Sequence, residues 1–297
     1  MFEKRLAGEP APWTDDPILQ HYKFCNVFRA ADRVSQYMIR EICYHYESCT
    51  AEDRLFQIVA FRMFSKIETW DSIREYLGRQ PTLSDLADGE FTKAIEHAIS
   101  KNGTIYTHAF ILCATNAYGQ PKKYLNHVAL FQHMFLLDDL AKKLPAAQSL
   151  QAIYELLHVY PLMGNFMCYQ TAIDLNYSEL INFDEDDFTV PGPGALRGMR
   201  KAFEDFGDSS PSELIMWMVD RQEEEFARLK LPFRGLFGRR LHAIDCQGLF
   251  CETDKYCRQA APELASARTK IKAKFVADPK LIALFFPPKW GINHHDL

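Results

Sequence analysis

With 297 residues, 47% of them hydrophobic, the chain has enough apolar side chains to bury one large core or two closely joined lobes, which excludes intrinsic disorder. A net charge of -5 and an isoelectric point near 6.1 exclude a basic coat protein, so contact with nucleic acid must be confined to a local patch. Eight cysteines lie scattered through helix-like segments without a secretory leader, and the apolar run Ala129 to Leu137 is interrupted by Gln132 and His133, well short of the roughly 20 residues of a membrane span; a cytoplasmic protein with reduced thiols and no membrane contact is expected.

From Pro17 to Tyr46, Phe24, Val27, Phe28, Val34, Met38 and Ile42 recur at near-helical spacing and predict one long helix. Helices are then predicted over Glu52 to Lys66, Thr69 to Leu77, Ser84 to Ser100, Lys122 to Lys143, Leu150 to Val159 and Asn165 to Tyr177, with Gly or Pro at most joints. An acidic connector, Asn182 to Asp187, leads into Val190-Pro191-Gly192-Pro193-Gly194, where the prolines forbid helix before about Ala195. The last third predicts helices over Ala195 to Phe206, Ser212 to Leu229, Asp245 to Gln259 and Glu263 to Phe275, then an irregular tail. No alternating run supports a sheet and no repeat is present. The expected fold is all-α, a single compact domain over residues 1–297.

Four segments can carry chemistry. Gly192 and Gly194 at a helix start let backbone N–H groups approach a phosphate, with Arg197, Arg200 and Lys201 adding charge within two turns; a rigid loop that merely starts a helix fits equally. In Ile244 to Tyr256, helical spacing puts Asp245, Gly248, Glu252 and Lys255 in one sector, as a site stripe or as a solvated face with a salt bridge. Asn26, Arg29, Arg33 and Arg40 share a side of the predicted first helix, where they would meet phosphates or an extruded base, or simply solvent. Gly164 to Gln170, with Asp174, offers Tyr169 and Gln170 as base contacts or as core residues. Cys246, Cys251 and Cys257 lack the fourth cysteine and the spacing of an iron–sulfur site, and His294, His295 and Asp296 read as a terminal tail, so no metal and no cofactor are expected.

The blocks His21 to Gln36, Phe61 to Trp70, Gly164 to Tyr177, Val190 to Gly198 and Ile244 to Arg258 resemble the helical domain found with 5-hydroxymethyluracil DNA kinases and the related alpha-glutamyl/putrescinyl thymine pyrophosphorylases. No kinase P-loop accompanies them. The resemblance implies modified bases in DNA as substrate and a relationship to helix-hairpin-helix DNA glycosylases, with the hairpin-like element at about 180–206. It implies Asp245 as the carboxylate that stabilises oxocarbenium charge, with Glu252, Lys255 and Asn26 beside it, and Asp220 as the competing candidate because some fifty residues separate Gly194 from Asp245. Arg29, Asp32, Arg33, Tyr169, Gln170 and Gln247 would contact the base, and Gly192, Gly194, Arg197, Arg200 and Lys201 the DNA backbone. Excision of a hypermodified pyrimidine, in antiphage defence, is the expected activity. The alternatives are transfer of an amine onto an activated 5-hydroxymethyluracil, with Arg29, Arg33 or Lys255 binding the leaving phosphates, and non-catalytic binding of modified DNA.

Overall fold

Asp16 starts a helix by accepting the N–H groups of Ile18 and Leu19 at 2.8 and 3.0 Å, but that helix lasts five residues, and the long first helix predicted over Pro17 to Tyr46 does not form. Beyond His21 the chain is extended: Lys23 N–H donates to the Ala273 carbonyl and Phe275 N–H to the His21 carbonyl, each at 3.0 Å. The Asn26 side chain then accepts from Phe28 N–H at 3.0 Å and the Asp32 carboxylate from Asn26 N–H at 2.9 Å. Such local bonds offer the backbone an alternative to helix, and here they prevail over the apolar spacing.

In this computed structural model, which describes residues 1–45, 49–107, 116–264, 268–271, 273–277 and 283–293, the α-helices in chain order are α1 (Phe2–Leu6), α2 (Pro17–His21), α3 (Arg33–Met38), α4 (Ala51–Phe64), α5 (Ile67–Leu77), α6 (Leu83–Asp88), α7 (Glu90–Asn102), α8 (Lys123–Phe131), α9 (Leu140–Lys143), α10 (Leu150–His158), α11 (Asn165–Tyr177), α12 (Pro193–Ala202), α13 (Pro211–Arg228) and α14 (Ala243–Ala260). The protein is all-α: the described residues form no strand beyond the isolated bridges Tyr22 to Lys274 and Leu236 to Arg239. No helix among them is long and apolar enough to cross a membrane. The segment predicted as one helix over Ser84 to Ser100 is split at Gly89, whose φ of 87° ends α6 and caps α7. The helix predicted over Glu263 to Phe275 is reduced to a single turn, Pro262–Leu264, and its described remainder is irregular, residues 273–275 pairing instead with residues 21–23. Cys113, His294, His295 and Asp296 lie outside the described residues.

The chain forms two compact units, one of Met1–Asp32 with Phe188–Leu297 and one of Arg33–Asp187. In the second, α4 is buried on all sides from Asp53 to Phe64, and Phe56 meets Phe91, Phe131 and Phe135 edge-on at centroid distances of 5.2, 6.0 and 5.5 Å. α11 is equally buried from Met167 to Tyr177, and Asp174 on it holds the buried Arg62 of α4 in an ion pair. The first unit is organised by α12 crossing α14. A Cβ built on Gly198 would lie 1.8 Å from the Phe250 carbonyl oxygen, and one on Gly194 would lie 2.9 Å from the Cys251 sulfur, so the crossing requires both to be glycine or nearly so.

Candidate functional site

The first turn of α14 begins with a reciprocal cap in which Asp245 accepts the His242 N–H through Oδ2 at 3.1 Å. Its other oxygen, Oδ1, accepts the Arg29 N–H at 2.8 Å, so the buried carboxylate ties residues 28–31 to the helix start. Two turns further, Glu252 Oε2 accepts the Cys25 N–H at 3.0 Å and the Lys255 ammonium at 2.6 Å. The ammonium also donates to the Lys23 carbonyl at 3.3 Å and stands 5.1 Å from the Phe24 ring centroid. Residues 23–32 therefore form a strap laid along the Asp245, Glu252 and Lys255 face of α14, running opposite to it. Gly248 lies on the same face between the two carboxylates, and a Cβ there would meet nothing within 4 Å, so the strap leaves open space at its middle.

Asp32 closes the strap. Burial pushes its carboxyl up to about 6, helped by the charge of Glu252 and opposed by the Asn26 N–H, Arg29 and Lys23. Only Oδ1 is used, by the Asn26 N–H; the second oxygen takes no hydrogen bond from the described residues. Desolvation of its sulfur, though the residue as a whole is exposed, pushes the Cys25 thiol up, with Asp32 and Glu252 adding to it, and burial pushes Cys251 up to about 12. The arrangement thus offers one carboxyl that titrates near neutrality, one carboxylate paired with lysine, and one carboxylate committed to backbone N–H groups.

The phosphate clamp expected from Gly192, Gly194, Arg197, Arg200 and Lys201 is largely used for structure. Arg197 Nε and the Lys201 ammonium turn inward onto the fully buried Asp254 of α14 at 3.1 and 3.0 Å, with Arg258 as a third cation at 2.6 Å. Burial pushes the Asp254 carboxyl up, but hydrogen bonds from Arg258, Lys201 and Arg197 outweigh it and hold it below its ordinary value. Gly194 is explained by the helix crossing, Gly192 is the buried N-cap of α12, and only Arg200 is exposed. No tight helical hairpin precedes α12, since the chain is irregular from Ser178 to Pro191.

The remaining expected residues are dispersed. Asp220 is exposed on α13, away from the strap bonds, and Gln247 is buried on α14 with its amide nitrogen unbonded among the described residues. Arg33 belongs to the second unit, exposed and 3.6 Å from Glu68, while Tyr169 and Gln170 are buried in that unit's core on α11. Cys246, Cys251 and Cys257 are free thiols whose sulfurs do not gather into one ligand group. Sequence reasoning placed Asn26, Arg29 and Asp32 on a helix and missed the strap; the signal for it was Asn26 and Asp32 themselves, both residues that bond to nearby backbone.

Compared with known families, residues 1–266 match the family described as the helical domain of 5-hmdU DNA kinase. A 5-hmdU DNA kinase from Bacillus phage SP10 is 26% identical over 279 residues, which cover 88% of this chain and 43% of that protein. The chain thus spans less than half the length of that relative. No solved structure matches. With the match running from the first residue through α14, the chain belongs to the 5-hmdU DNA kinase helical-domain family.

Proposed function

We propose that the chain acts on a modified pyrimidine in DNA and hydrolyses the bond between base and sugar, with Asp32 as the ionisable carboxyl of the reaction. The observation that carries this reading is the state of Asp32: a carboxyl at about 6 with one oxygen uncommitted. It is mostly ionised at neutral pH yet basic enough to take a proton from water. In the proposed step the bond from C1′ to N1 breaks and its electron pair leaves with the base. Water adds to C1′ as its proton passes to Asp32 and then to the departing base. The carboxylates of Asp32 and Glu252 stabilise the positive charge that develops on the sugar, and the open space beside Gly248 receives the pyrimidine ring. Asp245 is a positioning residue in this scheme, since both its oxygens hold backbone N–H groups.

The relative's name, a kinase of 5-hmdU in DNA, supports this substrate class. Group transfer is the second reading, favoured by the cations Lys23 and Arg29 of the strap and Lys255 beside it, which suit a phosphate leaving group. Lys255 is already engaged by Glu252 at 2.6 Å, and this favours excision. The test is incubation with duplexes carrying 5-hydroxymethyluracil, 5-hydroxymethylcytosine, a glucosylated pyrimidine or only ordinary bases, followed by mass analysis of released bases and of digested nucleosides. Free modified base and an alkali-labile site are expected. A mass-shifted nucleoside without free base establishes transfer, and tight binding without any product establishes a silent binder; either outcome overturns excision.

A further inference from the structure

The arm joining α13 to α14, Leu229-Lys-Leu-Pro-Phe-Arg-Gly-Leu-Phe-Gly-Arg-Arg-Leu241, holds four cations and no acidic residue in a chain of net charge -5. It has a defined shape. The buried Gln222 side chain brackets the Leu241 peptide, donating to its carbonyl at 2.9 Å and accepting from its N–H at 2.8 Å. Leu236 and Arg239 exchange both backbone hydrogen bonds, at 2.8 and 3.0 Å, around Phe237 and Gly238, both at positive φ as a tight hairpin turn demands. Phe233 stacks on Phe226 of α13 at 4.2 Å and on Phe28 of the strap at 6.0 Å. Phe28 immediately precedes Arg29, whose N–H Asp245 accepts, so the arm rests against the candidate site. A cavity of about 340 Å³ opens beside it, lined in part by Phe226, Leu231, Phe233, Arg234 and Arg240.

Only two of the arm's four cations, Arg239 and Arg240, are engaged locally. Of the acidic run on α13, Glu223 pairs with Arg240 of the arm at 3.6 Å, while Glu224 and Glu225 pair on α13 itself with Arg221 at 2.8 Å and Arg228 at 2.6 Å. Arg239 covers the Trp290 ring at 3.8 Å. The side chains of Lys230 and Arg234 are exposed and make no ion pair or hydrogen bond among the described residues. Between and beside them Leu229 and Leu231 are each 52% exposed and Pro232 is exposed as well. An apolar tip flanked by uncommitted cations, on a rigid support next to a carboxyl site, matches a strand of DNA: cations for phosphates, an apolar wedge for the base stack.

We propose that the 229–241 arm is the DNA-engaging element of the protein, in which Lys230 and Arg234 bind backbone phosphates and Leu231 with Pro232 press into the stack where the target base leaves it. The proposal rests on the base-processing reading above and has an independent readout. Binding of a fluorescent 20-base-pair duplex, unmodified or carrying one 5-hydroxymethyluracil, is titrated over a salt series. A Lys230→Ala, Arg234→Ala double variant should bind about tenfold or more weakly at low salt, with a salt slope shallower by about 2, at unchanged thermal stability. Leu231→Ala should keep the salt slope but abolish the rise in fluorescence of a 2-aminopurine placed beside the target. Wild-type affinity and slope in the double variant, or no DNA binding by the wild type, overturns the proposal. If the double variant binds normally while the wild type releases base, the arm assignment falls and the excision reading stands. Arm-dependent binding with no base release has the opposite meaning.

Discussion

The Asp245 carboxylate holds the Arg29 N–H at 2.8 Å with one oxygen and the His242 N–H at 3.1 Å with the other, so a single side chain fastens the strap and caps α14. A carboxylate with both oxygens accepting from backbone is stabilising and poorly available to act on substrate. Asp245→Asn keeps one acceptor and turns an NH2 group against the other N–H. The variant should lose about 1–3 kcal/mol of stability. Urea unfolding checks this, and hydrogen exchange should show the Arg29 amide losing protection first.

Two glycines of the first unit, one at a helix crossing and one facing open space, predict opposite outcomes for one substitution. Gly198→Ala drives a methyl group into the Phe250 carbonyl, backbone against backbone, and should lower stability by about 3 kcal/mol or abolish folding. Gly248→Ala meets open space in mid-helix and should raise stability by about 1 kcal/mol while depressing base release, because the methyl occupies the space assigned to the pyrimidine. Thermal melts beside an activity assay separate the effects.

Asp32 links stability to pH. Its folded value of about 6 lies above its ordinary 3.8, so the folded state holds the proton more tightly than the unfolded chain. The contribution of Asp32 is therefore most favourable below about pH 4 and declines as pH rises through 6. Asp32→Asn retains an oxygen for the Asn26 N–H and carries no charge, so it should be more stable than wild type at about pH 8, with the advantage shrinking towards pH 4. Melting temperatures across that range test the sign.

Lys201→Ala should cost about 3–5 kcal/mol, since it removes one of the cations compensating the buried Asp254, whereas Arg200→Ala should stay within about 0.5 kcal/mol. Equal effects of the two variants in denaturant melts would contradict the structural role given to Lys201.

Most helices from α4 to α14 were legible because apolar periodicity, caps and Gly or Pro joints agree there, and α11 coincides with its predicted span, Asn165 to Tyr177; the left-handed breaks at Gly89 and Asp139, which divide the spans predicted over Ser84 to Ser100 and Lys122 to Lys143, were not. The same periodicity misread residues 22–28, where bonds from Asn26 and Asp32 and pairing with residues 273–275 override it. The shared face of Asp245, Glu252 and Lys255 could be read from helical spacing, but what lies on that face could not, because the strap is more than two hundred positions away in sequence. Arg197 and Lys201 looked like phosphate ligands since a sequence does not reveal that Asp254 is buried between them. The interleaving of basic and aromatic residues in the arm at 229–241 is visible without a structure.

The most direct test of the central assignment is the pH dependence of single-turnover release of 5-hydroxymethyluracil from duplex DNA by the wild type and by Asp32→Asn. The wild-type rate should rise through about pH 6 to a plateau, and Asp32→Asn should fall by about 10²-fold or more on the plateau and lose the rise. A near wild-type rate in Asp32→Asn with the rise intact would contradict the account and remove Asp32 from the chemistry.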